Sequence, residues 1–273
     1  MSKRNSQANK SAARERLRAE RERQAKKDKT RRQIIVGVSV VGVLAVVGLG
    51  TWGFMQLNKP SQWEAAKDAK NVTAPKNTSG EDGTTVVIGK SSAKKTLELY
   101  EDPRCPICAT LEQGVGEQVH KDVDAGKYKI KYIGATFLDG ENSINGVGSK
   151  NALSAFGAAL NVSPQAFLDY KAALYSAKYH PEETDDKFKD DAYLIKIADT
   201  VDALKGNKAF QKDVEDGTYD NWAMKMSATF EKSGVRGTPT LKMDGKTLTG
   251  KDGQNAPMTV DEFTTAIDKA LKG

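Results

Sequence analysis

Residues 96–108 have the sequence TLELYEDPRCPIC, an alternating apolar run followed by two cysteines three positions apart. The alternation over residues 96–100 predicts a half-buried β-strand. Cys105 and Cys108 are the only cysteines among the 273 residues. Because Pro106 suits the first turn of a helix, the pattern predicts a strand that leads into a helix with Cys105 at its N-cap.

The spacing of the two cysteines favours redox chemistry over two alternatives. A structural disulfide that closes so short a loop would constrain the unfolded chain only weakly. A zinc site would need more ligands, and the only histidines, His120 and His180, do not follow at zinc-finger spacing, so we predict no metal. A thiolate at a helix N-terminus is stabilised by backbone N–H groups and the helix dipole. We therefore predict a lowered pKa for Cys105, the attacking sulfur, and a resolving role for Cys108.

Strand and helix patterns continue on both sides of this motif. The predicted elements are strands at 85–88 and 128–132, a helix that starts at the cysteines, a mainly helical region at about 143–233, a hairpin at 240–248 and a terminal helix from 259. This order predicts an α/β fold in which the strands before and after the first helix are parallel.

A second motif, Gly237-Thr238-Pro239-Thr240, stands immediately before the predicted hairpin. A proline at the start of a strand, in a tight turn, is compatible with a cis peptide bond. Most X–Pro bonds are trans, so this motif gains weight only in combination with the cysteines.

Together, these motifs and the helical region between them resemble the DsbA-like branch of the thioredoxin superfamily, over about residues 84–273. The resemblance is greatest to membrane-tethered members from Gram-positive, actinobacterial cells. It implies a thioredoxin-like fold with an inserted helical domain at about 143–233, and no cofactor. It also implies that Pro106 and Ile107 are active-site residues, that Pro239 is cis and lies against the sulfurs, and that the Thr238 backbone pairs with a substrate strand.

One position departs from that family. Many members carry a buried acidic residue six positions before the first cysteine, and here that residue is Leu99. Glu98 should face the other side of the strand. We expect Glu101, Asp102 or water to take the place of the missing acid.

Two arginines follow the basic N-terminal region, Arg104 next to Cys105 and Arg236 three residues before Pro239. If the fold is correct, both flank the active site. They are either ordinary surface residues or groups that stabilise the Cys105 thiolate or bind acidic client segments.

The basic residues are concentrated at the N-terminus. Residues 1–33 contain 13 Lys or Arg and 4 Asp or Glu, whereas the whole chain has a net charge of +6, so the remainder is mildly acidic. The high basicity therefore belongs to a tail, and we predict no nucleic-acid partner.

Residues 34–57 contain no charged side chain and are long enough to cross a lipid bilayer. We predict one transmembrane helix there, with a cleaved or twin-arginine export signal as the alternative. The positive-inside rule then puts residues 1–33 in the cytoplasm and the C-terminal domain outside. Residues 58–83 predict a flexible tether before the domain at 84–273.

These features predict an extracytoplasmic, single-pass membrane protein that introduces disulfides into exported proteins with cysteine residues and is reoxidised by a membrane redox partner. Two alternatives stay open. A reductase or isomerase would use the same fold with the opposite electron flow. A non-catalytic binding module would use the cysteine pair only as a small structural disulfide.

Overall fold

A mixed sheet forms the centre of the computed structural model, which describes residues 61–140 and 145–272. Its strands are β1 (Val86–Ile88), β2 (Thr96–Glu101), β3 (Lys129–Gly134), β4 (Thr240–Met243) and β5 (Lys246–Leu248). Their order is β1-β3-β2-β4-β5, in which β2 and β3 are parallel and the other neighbours are antiparallel. The strands predicted from the sequence, including the parallel pair, are confirmed.

The helices of the described residues surround this sheet. They are α1 (Gln62–Asp68), α2 (Pro106–Ala125), α3 (Gly148–Val162), α4 (Pro164–Leu174), α5 (Asp191–Ala198), α6 (Lys208–Glu215), α7 (Asp220–Lys232) and α8 (Val260–Lys272).

Strand β2 is the central strand and leads to the cysteines. Leu97 and Leu99 are buried in the core, whereas Glu98 between them is half-buried. β3 pairs with β2 on one side and β4 pairs with it on the other. The end of β2 is therefore held on both sides at the point where the chain enters the cysteine motif.

Helix α2 starts immediately after Cys105, with Pro106 at its first position. One face of the helix carries a buried apolar stripe, which comprises Leu111, Val115, Val119 and Val123. Gly126 ends the helix in the left-handed conformation, at φ 76°. A Cβ on Gly114 would lie 2.5 Å from the Met258 carbonyl oxygen, so this glycine lets the chain before α8 approach α2 closely.

Helices α3 to α7 lie between β3 and β4 and form the helical insertion predicted at about 143–233. Aromatic contacts join it to the sheet. Tyr132 of β3 packs edge-on against Phe156 and Phe167, with ring centroids 6.1 and 5.1 Å apart. Trp222 of α7 is fully buried. The insertion therefore shares one core with the sheet.

The C-terminal hairpin and helix follow the predicted local signals. Asp244 and Gly245 have positive φ values of 52° and 76°, as a tight hairpin turn requires. The Thr259 hydroxyl accepts a hydrogen bond from the Glu262 backbone N–H at 3.4 Å at the start of α8. Phe263 of α8 is fully buried.

The predicted flexible tether at 58–83 is wrong for its described part. Helix α1 packs against α7. The Asn221 amide donates to the Asn71 carbonyl at 2.7 Å, and the Trp222 indole N–H donates to the Gly83 carbonyl at 2.9 Å. These polar groups of α7 are satisfied by the backbone of the preceding segment, so the globular domain includes residues that the sequence assigned to a linker.

The predicted basic tail at 1–33, transmembrane helix at 34–57 and first residues of the tether lie outside the described residues. Within 61–140 and 145–272, no helix combines the length and the apolar character needed to cross a membrane.

Candidate active site

The two cysteines lie where β2 meets α2, as free thiols. Cys105 is the N-cap residue of α2 and is 7% exposed, whereas Cys108, one turn along the helix, is 0% exposed. Cys105 is therefore the accessible member of the pair, although it is less exposed than the sequence suggested.

Hydrogen bonding lowers the pKa of the Cys105 thiol to about 6. The largest contribution comes from the Cys108 thiol, and the Thr238 side chain and the N–H groups of Cys108 and Ile107 add to it, while burial opposes it. Burial raises the pKa of Cys108 well above its usual range. At neutral pH the pair therefore holds a thiolate on Cys105 and a proton on Cys108, the division that disulfide exchange requires.

The turn before β4 brings a second element to the sulfurs. The Thr238–Pro239 peptide bond is cis, as the resemblance implied. The Thr238 carbonyl oxygen lies 3.5 Å from Cys105 Sγ and accepts the S–H when Cys105 is protonated. The Thr238 hydroxyl is buried and has no hydrogen-bond partner within the described residues, which leaves it free to donate to the thiolate.

A groove of about 650 Å³ begins beside Thr238 and Pro239. Ile107, which is 55% exposed, lines it on the side of α2, and residues of the segment before α8 line the other side, including Gln254 and Met258. Cys105 is not one of the lining residues, but Thr238, which lines the groove, has its carbonyl oxygen 3.5 Å from Cys105 Sγ.

Two carboxyl groups are buried at the end of β2, where we expect a substitute for the missing acid from the sequence. Leu99 is an apolar core residue, whereas Glu101 and Asp102 are fully buried, and burial raises the pKa of each to about 7. The charge of Glu101 helps to raise the pKa of Cys108. Asp102 instead accepts a hydrogen bond from the Ser149 hydroxyl at 2.6 Å. Glu101 is therefore the carboxyl group that is coupled to the buried sulfur.

Lys171 of α4 neutralises Glu101, a partnership that sequence reasoning missed. Its Nζ lies 3.1 Å from Glu101 Oε2 and hydrogen-bonds Glu112 Oε2 at 2.5 Å. The three side chains are almost completely buried. Lys171 and Glu101 are 70 positions apart, and no sequence signal marks one lysine among so many.

A protein-family model described as Thioredoxin matches residues 81–269, more than half of the chain. The protein belongs to the thioredoxin family. Among solved structures of that fold, it is similar to the reduced form of a disulfide bond oxidoreductase, DsbG, from Mycobacterium tuberculosis. The two are 26% identical with a TM-score of 0.54, over 70% of this chain and 93% of that one.

Two curated relatives of this thioredoxin-family protein match at comparable identity. Disulfide bond formation protein D of Bacillus subtilis is 23% identical over 188 residues, 68% of this chain and 77% of that protein. The serine/threonine-protein kinase PknE of M. tuberculosis is 25% identical over 155 residues, 56% of this chain. The chain spans only 27% of the length of PknE.

Arg104 does not have either of the roles that the sequence suggested. It is 1% exposed, so it is neither a surface residue nor available to clients. Its guanidinium pairs with Asp139 at 3.0 Å and Asp186 at 3.4 Å and donates to the Glu183 carbonyl at 2.9 Å. The cation is therefore bound to the buried Asp139 and the half-buried Asp186, and it is not among the main causes of the lowered pKa of Cys105.

Arg236 is exposed, on the turn that leads to Thr238. Its exposure fits an ordinary surface residue as well as one that binds acidic segments, and it is not among the main causes of the lowered pKa of Cys105.

Proposed function

We propose that this protein is an extracytoplasmic thiol–disulfide oxidoreductase that introduces disulfides into exported proteins. The observation that carries the proposal is the unequal pair at the start of α2, in which Cys105 is an accessible thiolate and Cys108 a buried thiol. The similarity to DsbG and to disulfide bond formation protein D supports it.

The proposed reaction starts from the Cys105–Cys108 disulfide. A client thiolate attacks Cys105 Sγ, which forms a mixed disulfide and releases Cys108 as a thiolate that takes up a proton. A second client thiolate then attacks the client sulfur of the mixed disulfide and releases Cys105 as a thiolate. The client dithiol becomes a disulfide, and the two electrons remain on the reduced cysteine pair.

Glu101 is suited to supply and remove the proton of Cys108. Its pKa of about 7 allows both protonation states near neutral pH, and its charge acts on the Cys108 sulfur. Lys171 links it to Glu112, and Glu112 lines a surface pocket of about 410 Å³ together with His120. These contacts link the Glu101 carboxyl to a surface pocket whose lining residues include neither Thr238 nor Pro239.

The oxidase direction is supported by the low pKa of Cys105. A stabilised thiolate lowers the free energy of the reduced form, so the disulfide form gives up its oxidising equivalents more readily. Ile107 adds no positive charge beside the thiolate, which argues for a moderate rather than an extreme potential.

The proposed location rests on the N-terminal sequence. The uncharged run at 34–57, preceded by the basic residues 1–33, supports a single membrane anchor with its N-terminus in the cytoplasm. The domain would then act outside, where thiols can be oxidised, and a membrane partner would accept its two electrons.

Clients would bind as extended segments along the Thr238–Pro239 turn. The Thr238 carbonyl and the exposed Ile107 side chain border the same groove, which supplies one polar and one apolar contact next to Cys105. Arg236 is available to bind acidic client residues near that turn.

The direct test uses the oxidised full-length protein and a reduced, unfolded client such as ribonuclease A. Alkylation and mass spectrometry count the thiols on both. We expect the protein to gain as many thiols as the client loses, and no transfer with Cys105→Ala. No transfer from the wild type would reject the proposal and favour a binding module. The redox state in growing cells separates the directions, since an oxidase is mostly disulfide and a reductase mostly dithiol.

A further inference from the structure

The short loop that joins β2 to Cys105 is held by the helical insertion. Lys171 pairs with Glu101, and the Ser149 hydroxyl donates to Asp102. Further contacts come from the loop after α4: the Tyr175 hydroxyl donates to the Asp102 carbonyl at 3.1 Å, and His180 Nε2 lies 3.1 Å from the Pro103 carbonyl oxygen. The carbonyls of Asp102 and Pro103, which precede Cys105 in the chain, are therefore both bound by side chains of one segment, residues 175–180.

Tyr175 and His180 form a single packed unit. Their rings stack with centroids 5.8 Å apart and planes 26° apart, and Phe188 packs edge-on against His180 at 5.7 Å. Burial lowers the pKa of His180. The hydrogen bonds to the Pro103 and Pro181 carbonyls and the charge of Glu182 act in the opposite direction, but their effect is smaller. The ring is therefore neutral at neutral pH. In the tautomer that carries its proton on Nε2, the neutral ring donates to the Pro103 carbonyl.

These contacts act on the backbone of Cys105. The Asp102 carbonyl that accepts from Tyr175 also accepts from the Cys105 N–H at 2.9 Å, and the next carbonyl, that of Pro103, accepts from His180. Pro103 has a restricted φ and no N–H, and within the same loop the Arg104 N–H donates to Asp102 Oδ1 at 3.0 Å. The position of these two carbonyls therefore affects how the Cys105 side chain is oriented at the N-terminus of α2.

We propose that His180, together with Tyr175, is a positioning residue that aligns the Cys105 sulfur with the N–H groups at the start of α2. The helical insertion thereby controls the reactivity of a nucleophile that belongs to the thioredoxin-like core. Neither side chain touches a reacting atom. The consequence for disulfide exchange rests on the proposed function, whereas the alignment itself does not.

Four substitutions in the full-length protein separate positioning from packing. His180→Phe keeps the stacked ring and removes the donor, whereas His180→Gln keeps a donor nitrogen at a similar reach. Tyr175→Phe removes only the hydroxyl that bonds the Asp102 carbonyl. The matched control is Tyr193→Phe, because the Tyr193 hydroxyl donates to the Tyr179 carbonyl of the same loop, at 2.7 Å, without touching the active site.

Two readouts are measured on each variant: the titration of the Cys105 thiolate by its ultraviolet absorbance, and the equilibrium constant with glutathione. Loss of one buried hydrogen bond changes an equilibrium by about threefold to tenfold. We expect His180→Phe and Tyr175→Phe to raise the thiolate pKa and to make the protein less oxidising by that factor. His180→Gln should stay closer to the wild type than His180→Phe, and Tyr193→Phe should match the wild type.

The proposal is overturned if His180→Phe titrates like the wild type, or if Tyr193→Phe shifts both readouts as much as His180→Phe does. If His180→Phe does not fold, Tyr175→Phe decides the matter by the same criterion. The thiolate titration needs no client, so it tests the alignment even if the wild-type protein fails to oxidise ribonuclease A and the proposed function falls.

Discussion

Lys171 Nζ lies 3.1 Å from Glu101 Oε2, and both side chains are at most 2% exposed. A buried carboxylate without a partner would be strongly destabilised, so this lysine allows a titratable acid to exist beneath the cysteine pair. The partner comes from the helical insertion, whereas Glu101 ends the central strand of the thioredoxin-like core. The proton chemistry of the site therefore depends on both parts of the domain.

Glu101→Gln should slow client oxidation and change its pH dependence. Glu101 donates to Cys108 only when protonated, and client thiols attack only when ionised, so the wild-type rate should pass through a maximum near neutral pH. The variant should lose the fall on the alkaline side and react about tenfold or more slowly at the wild-type maximum. Stopped-flow kinetics with a cysteine peptide measure both, and an unchanged profile would remove Glu101 from the mechanism.

Glu101 should also make the stability of the protein depend on pH. Burial raises the pKa of Glu101 from 4.5 to about 7, so the native state binds more protons than the unfolded state between these values. The contribution of Glu101 to stability is therefore present below about pH 4.5 and is lost as pH rises towards 7. Chemical denaturation of both proteins should show Glu101→Gln gaining stability relative to the wild type across this window. If the free energies of unfolding of the two proteins differ by the same amount at every pH in this window, the raised pKa of Glu101 is contradicted.

Cys108→Ala should have two effects, because the Cys108 thiol is the main hydrogen-bond donor to the Cys105 sulfur. The pKa of Cys105 should rise towards the usual range for a thiol, which alkylation rates at several pH values would show. Mixed disulfides with clients should accumulate, since no resolving thiol remains, and non-reducing electrophoresis would detect them. Cys105→Ala is the control and should trap none; trapping by Cys105→Ala but not by Cys108→Ala would exchange the two assigned roles.

Arg104→Met should destabilise the fold, because it leaves Asp139 and Asp186 without their shared buried cation. Removal of one partner from a buried ion pair typically costs about 3–5 kcal/mol. Arg236→Met, which changes an exposed side chain, should alter the free energy of unfolding by less than about 0.5 kcal/mol. Denaturant titration of both variants tests this contrast, and a loss below about 1 kcal/mol for Arg104→Met would show that the buried pairs are not needed.

The sequence predicted those features that short-range patterns determine. The alternation of apolar residues predicted strand β2, and Pro106 predicted that Cys105 is the N-cap residue of the helix; the structure confirms both. Both signals depend on neighbouring residues, so no knowledge of distant contacts was needed. The cis Thr238–Pro239 bond followed from the family resemblance rather than from the dipeptide itself.

The features that the sequence did not predict depend on remote partners. The sequence offered Arg104 as a surface residue or as a group that acts on the thiolate or on clients, but its partners Asp139 and Asp186 make its burial favourable. The segment before β1 is rich in turn-forming residues, and its backbone bonds to side chains far along the chain, including Asn161 of α3 and Asn221 and Trp222 of α7. Such contacts join residues far apart in the chain, where composition and periodicity carry no information.

The reduction potential of the Cys105–Cys108 couple, measured by equilibration of the full-length protein with glutathione, tests the proposed oxidase role most directly. A stabilised Cys105 thiolate predicts a potential more oxidising than about −200 mV, although short of the most oxidising members at about −120 mV. A potential more reducing than about −200 mV, towards the value of about −270 mV found for thioredoxin, would contradict the oxidase assignment and favour a reductase.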